Sequence, residues 1–212
     1  MTYEKFDVIS DQLIPLIANP NIMSRLANLI VEKASCEPMF SPMYASLCQK
    51  IRSRCSLEFE DTGKNTTFRH IVLNLLQSKF ESRNQIPQLI GLSPQDQEEL
   101  LYRCQQKVTA VLRLICALHS DSRFLTSNII HNCINELLSD AISANRDFVS
   151  IERVCYVISA VGSEIDNIKS KDKVDHYFLL LNEIKSDETI PKRTKFMIEV
   201  HRTLSFLKII RT

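Results

Sequence analysis

The stretch Glu32-Lys33-Ala34-Ser35-Cys36-Glu37-Pro38-Met39-Phe40-Ser41-Pro42-Met43-Tyr44-Ala45-Ser46-Leu47-Cys48 is spaced as the end of one helix, a tight turn and the start of a second. Upstream of it, Met23, Leu26, Ala27, Ile30 and Val31 recur with the period of a helix face. Asn19-Pro20-Asn21 separates them from an earlier face of Phe6, Ile9, Leu13 and Ile17, in a helix predicted from Tyr3 to Ala18. Pro15 falls inside that first helix and should kink or shorten it, since it removes a backbone donor and crowds the preceding turn. Downstream, the same periodicity predicts helices over Phe40 to Arg52, Phe68 to Phe80, Ser93 to Leu118, Thr126 to Leu138, Ser150 to Val161, Asp172 to Ile184 and Pro191 to Ile210, with a polar link from Ser56 to Thr67. Ser93-Pro94-Gln95-Asp96 reads as a helix start: Ser caps, Pro fits the first turn and the acid suits the positive end of the helix dipole.

Paired in order, these helices make hairpins with similar landmarks roughly every 40 to 50 residues, the period of HEAT-type repeats, in which each hairpin covers its neighbour's apolar face. The expected fold is all-α: an α-solenoid of about five helical hairpins, the last incomplete, in a single domain over residues 1–212. Composition agrees. Only 3 glycines in 212 residues are too few for a strand-and-turn-rich protein, whereas interior glycines weaken helices.

The 26 Lys and Arg nearly balance the 25 Asp and Glu, so a nucleic-acid site would have to be a local patch. One stands out. From Thr189 to Thr212, Lys192, Arg193, Lys195, Arg202, Lys208 and Arg211 face a single acid, Glu199; a solvated helix face is the alternative reading. Seven cysteines, five of them within apolar helical patterns, fit a reducing compartment and thiols used as small hydrophobes. His131 and Cys133 would diverge on one helix, and the five histidines fall in helix patterns where capping, core or surface roles suffice. There is no Gly-rich phosphate loop, His-Glu-x-x-His helix or Gly-x-Ser-x-Gly elbow, so no catalytic residue, metal or cofactor is expected. The N-terminus shows no export or transit signal, and no apolar run approaches the roughly 20 residues that span a bilayer. A soluble, cytoplasmic monomer without a membrane partner is expected.

The opening stretch resembles the signature of the middle domain of eukaryotic translation initiation factor 4G, where a helix ending in Lys-Ala-x-x-Glu-Pro is followed by an aromatic, a Ser and a Met-Tyr-Ala-x-Leu-Cys run. Further segments resemble the family in order: Thr67 to Asn74 with Gln77 and Phe80-Glu81, Leu125 to Cys133 with Leu137-Leu138, Ser150 to Cys155 with Ala160 to Asp166 ending at a Val161-Gly162 turn, and Tyr177-Phe178 with Ile190 to Met197. A departure lies at Leu112 to Leu118, where the family usually has a Gly beside an acid to let helices approach closely. Because the chain begins at the first helix and stops within the fifth repeat, it is expected to be a middle domain excised from a longer protein or a compact divergent member.

The resemblance implies a scaffold that binds the DEAD-box RNA helicase initiation factor 4A near both ends of the solenoid, promotes its ATP-driven unwinding, and meets other initiation factors through flanking segments. In the family the basic-x-basic-aromatic segment opening the last repeat contacts the helicase; the matching residues are Arg193, Lys195 and Phe196. Phe196 is expected to buttress the helix from the core beside Met197 and Val200. Tyr3 and Phe6 are candidates for the second helicase lobe, with packing against Leu26 the alternative for Phe6. Lys192, Arg202, Lys208 and Arg211 are candidates for sequence-tolerant mRNA contacts. A related HEAT-repeat adaptor in mRNA decay, splicing or poly(A)-binding-protein regulation is the alternative function.

Overall fold

The computed structural model describes residues 3–200 apart from 18, 56–58, 62, 63, 86, 122 and 144–146. The helices are α1 (Phe6–Leu13), α2 (Pro20–Cys36), α3 (Ser41–Arg54), α4 (Phe68–Glu81), α5 (Pro94–Ser120), α6 (Ser127–Ile142), α7 (Phe148–Ile165) and α8 (Lys171–Ser186), followed by α9, described over 192–200. A short antiparallel ribbon, β1 (Phe59–Asp61) and β2 (Lys64–Thr66), pairs Phe59 with Thr66 and Asp61 with Lys64. It lies within the link that the sequence pattern left irregular.

Local chemistry sets the boundaries. The Asn19 side chain accepts from the Ile22 amide at 3.0 Å, with Pro20 in the first turn of α2. Ser93 caps α5 as its sequence predicts: its hydroxyl accepts from the Asp96 amide at 3.2 Å and donates to the Asp96 carboxylate at 2.6 Å. Thr67 and His70 form a reciprocal capping box at the start of α4. Pro15 ends α1 at Leu13 and tightens the chain into a 3-10 turn over Ile14–Leu16. The expected turn at Val161-Gly162 is instead helical. α7 runs on to Ile165, where the Asp166 amide bonds the Gly162 carbonyl at 2.9 Å, because flanking Val161 and Ile165 are both buried and hold the helix to the core.

The chain gathers into two compact units, Met1–Phe124 and Leu125–Thr212. Within the first, α1 packs on α3 and α3 on α5, while α2 packs on α4 and α5. This alternate-neighbour packing is what stacked helical hairpins produce. Met23, Ala27 and Val31 of α2 and Cys48 and Ile51 of α3 are almost fully buried. So are Leu112, Leu114 and Leu118 of α5, so the segment that departs from the family's glycine-containing pattern packs by long aliphatic side chains. In the second unit, α6 packs on α7 and α8, with Ile130, Ile134, Ile151, Val154 and Tyr177 buried. Cys48 and Cys155 are free thiols inside these cores, and burial pushes each up to about 12. His131 is also a core residue, its Nδ1 3.1 Å from the Tyr177 hydroxyl.

Candidate partner-binding faces

Part of the opening signature turns inward: Ala34, Ser35, Ser41, Met43, Tyr44, Ala45, Leu47 and Cys48 are buried. Tyr44 is buried at 6% exposure and donates its hydroxyl to the Glu37 carboxylate at 2.6 Å, bridging the end of α2 to the first turns of α3. Lys33 lies 3.6 Å from the same carboxylate. That hydrogen bond from Tyr44, with Lys33 beside it, holds Glu37 below the usual carboxylate range, and burial together with the Glu37 bond pushes the Tyr44 phenol up. Ser35 and Ser41 are buried too, their hydroxyls donating to the Val31 and Pro38 carbonyls. This segment is therefore a latch between two helices.

At the first helix, charge is likewise used within the fold. Lys50 of α3 reaches α1, 2.8 Å from Asp11, 2.9 Å from Asp7 and 2.7 Å from the Ser10 hydroxyl, while Arg54 bonds Asp11 at 2.5 Å. Bonding to Lys50 lowers the Asp11 carboxyl, and the bonds from Asp11 and Asp7 raise the Lys50 ammonium. Phe6 is half-buried beneath that ammonium, 5.6 Å from Nζ to the ring centroid. Tyr3 starts a 3-10 turn over Tyr3–Lys5, and its side chain lies outside the described part of the structure.

The last described helix differs. Asp187 shapes the corner after α8 by accepting from the Thr189 amide at 2.9 Å and its hydroxyl at 2.7 Å. Ile190, Thr194 and Ile198 then recur every four residues and are buried at 6%, 2% and 3% exposure, which fixes the inward face of α9. Phe196 sits two residues from both Thr194 and Ile198, about 200° around the helix from each. It is 67% exposed. The expectation that Phe196 buttresses the core is thus corrected: half-buried Met197 and Val200 lie nearer the inward face, and Phe196 points away.

Lys192 and Arg193, four and three residues before Phe196, are exposed beside it, and Lys195 is half-buried. Arg193 Nε lies 3.7 Å from Glu152 of α7, and Lys185 of α8 lies 3.2 Å from Glu199. Sequence spacing does not reveal the first of these pairs, because 41 positions of chain separate 152 from 193 and no local pattern connects them. Lys192, Arg193, Lys195 and Phe196 all lie on the described part of α9. Arg202, Lys208 and Arg211 lie outside the described residues. No helix among the described residues is long and apolar enough to cross a membrane.

A family described as "MIF4G domain" matches residues 1–201. The chain is 27% identical over 208 residues to eukaryotic translation initiation factor 4G of Triticum aestivum, covering 93% of this chain and 14% of that protein. It is 24% identical over 216 residues to eukaryotic translation initiation factor 4 gamma 3 of Mus musculus, covering 94% and 13%. To eukaryotic translation initiation factor 4 gamma 2 of Homo sapiens it is 25% identical over 214 residues, covering 94% and 23%. The chain thus spans less than a quarter of the length of each of these relatives. The matched region runs through the first compact unit, takes in the Glu37–Tyr44 latch and reaches the end of described α9 in the second, and on that extent the chain belongs to the MIF4G domain family.

Proposed function

We propose that this chain is a translation initiation scaffold without catalytic activity of its own, acting in the cytoplasm by binding the DEAD-box helicase initiation factor 4A and stimulating its ATP-dependent unwinding. The observation that carries the reading is an aromatic ring 67% exposed amid Lys192, Arg193 and Lys195, on a helix already anchored by Ile190, Thr194 and Ile198. Such a ring is not needed for the local core, and aromatic and arginine side chains, here Phe196 and Arg193, are the types enriched in protein-binding interfaces. Arg193 would meet a helicase carboxylate through its terminal nitrogens, a geometry that suits paired hydrogen bonds. Tyr3 and Phe6 are the proposed contacts for the second lobe. Lys192, with Arg202, Lys208 and Arg211, is proposed to give sequence-tolerant contacts to mRNA. All the relatives named above are initiation factors, which supports initiation over decay or splicing.

The test is the ATPase rate of factor 4A with and without the chain, beside titrations at matched salt. The chain should raise the rate, and Arg193→Glu with Lys195→Glu should weaken binding by about 2 to 5 kcal/mol while folding stays nearly intact. Unchanged binding by the double variant would remove α9 from the interface. No stimulation by the parent chain would remove the function.

A further inference from the structure

We propose that Arg52 and Arg69, which meet at Phe124, and Arg123, the residue before it, form a phosphate-binding site through which the first compact unit holds the backbone of RNA. The inference rests on the reading that the chain contacts RNA, but neither on α9 nor on helicase binding. Phe124 is the anchor. It is fully buried, with its ring edge-on to Phe68 at 6.4 Å. Arg52 of α3 places its guanidinium carbon 5.8 Å from the Phe124 ring centroid, and Arg69 of α4 donates from Nε to the Phe124 carbonyl at 3.0 Å. Arg123 is the preceding residue and is exposed. Two guanidinium groups, from α3 and α4, thus meet at one fixed aromatic, and the chain sets a third arginine directly before it.

Among the described residues, no carboxylate neutralises their charge. Among the described residues none of the three forms an ion pair, and the nearby exposed acid Asp121 forms none with them. The contrast on α3 is direct: Lys50 and Arg54, flanking Arg52 at two residues on either side, are both held by carboxylates of α1. The Arg69 bond through Nε leaves its two terminal nitrogens for a ligand, and the approach of Arg52 to the ring consumes no hydrogen bond of its guanidinium.

The backbone adds an independent observation. The Arg123 amide bonds the His119 carbonyl at 3.2 Å, the single hydrogen bond that closes a helix with a left-handed cap, and the Phe124 amide reaches back to the Leu118 carbonyl at 2.8 Å. Arg123 takes the left-handed position of that cap with φ 46°, where glycine is the unstrained residue. A long cation occupies a place that the backbone would give to glycine, which points to a use for its side chain. The ligand class follows from what the site lacks: Phe68 and Phe124 are buried, so neither a base-stacking platform nor an aromatic anchor for a protein partner is offered there. What remains is a cluster of planar donors that suits phosphate oxygens.

The experiment is fluorescence anisotropy with a labelled oligouridylate across a salt series, on the parent chain and on Arg123→Gly, Arg52→Gln and Lys192→Ser, with thermal midpoints measured alongside. Arg123→Gly should weaken binding about threefold or more and reduce the slope of log affinity against log salt by about 0.7, the increment for a single phosphate of a single strand. The same substitution should raise the thermal midpoint by relieving the left-handed backbone. Affinity falling while stability rises is a result that a packing defect does not produce. Arg52→Gln should reduce the slope by a similar amount. Parent-like binding by both arginine variants overturns the proposal; if Lys192→Ser is weakened at the same time, RNA binding through α9 stands and only this site falls. A parent chain that does not bind oligouridylate at low salt overturns it as well, while the helicase reading keeps its own ATPase test. Displacement by polyglutamate as effective as displacement by inorganic polyphosphate would assign the site to an acidic protein and overturn the RNA assignment.

Discussion

The latch between α2 and α3 and the outer face of α9 both join an aromatic residue to charged neighbours, and they put that chemistry to opposite uses. Tyr44 is turned inward, its hydroxyl bonded to Glu37, and the cations farther along α3, Lys50 and Arg54, are held by Asp7 and Asp11. Phe196 is turned outward, and Arg193 beside it keeps only a long, exposed pairing with Glu152. Residue type does not separate a folding device from a binding face. What separates them is whether the charge is matched within the chain and whether the ring is covered.

The largest expected effect breaks the comparison from the inner side. Tyr44→Ala should cost about 3 to 5 kcal/mol of unfolding free energy, since a buried ring is removed and Glu37 is deprived of its hydrogen-bond donor. Urea denaturation followed by circular dichroism measures it. A cost under about 1 kcal/mol would mean that the latch serves something other than stability.

Phe196→Ala tests the outer side. Its stability should stay within about 0.5 kcal/mol of the parent, as for surface substitutions generally, while affinity for factor 4A should fall by about 2 kcal/mol, the scale of an interfacial aromatic anchor. Titration calorimetry and the same denaturation series read the two quantities separately. A drop of several kcal/mol in stability with unchanged affinity would restore the buttress reading and end the contrast.

The helices are legible in the sequence because their signals are local. Period and caps suffice for α2, whose buried face is the predicted Met23, Leu26, Ala27, Ile30 and Val31, and for α5, which begins at the Ser93-Pro94-Asp96 start. The ribbon from Phe59 to Thr66 is not legible, since strands of three residues are too short to show an alternation. At α9 the sequence singles out Arg193, Lys195 and Phe196, with Lys192, as candidates but not the direction of Phe196, because the choice between inward 194 and 198 and outward 196 is made by packing within the second unit. The arginines at Phe124 are hidden for a related reason: positions 52 and 69 share no spacing with 124, and only the fold collects them there.

The smallest expected effect concerns pH and sharpens the comparison without disrupting either region. Glu37, bonded foremost by Tyr44, and Asp11, bonded foremost by Lys50, are both held below the usual carboxylate range when folded. A depressed folded value means that their contribution is complete above the unfolded value, near pH 4, and is lost as pH falls through the folded one. Lys50 is raised by Asp11 and Asp7, so its contribution is complete below about pH 10 and fades only as pH rises beyond that. Stability from this network should therefore be flat through neutrality and decline on the acid side. Tyr44→Phe removes the hydroxyl that favours ionised Glu37, so its thermal midpoint should lie below the parent's at neutral pH and approach it as the solution is acidified toward about pH 3. Phe196→Ala, which touches none of these bonds, should follow the parent in parallel at every pH. If the gap between Tyr44→Phe and the parent instead stays constant down to about pH 3, the hydroxyl is not supporting an ionised carboxylate, and the latch would rest on the packing of the ring alone.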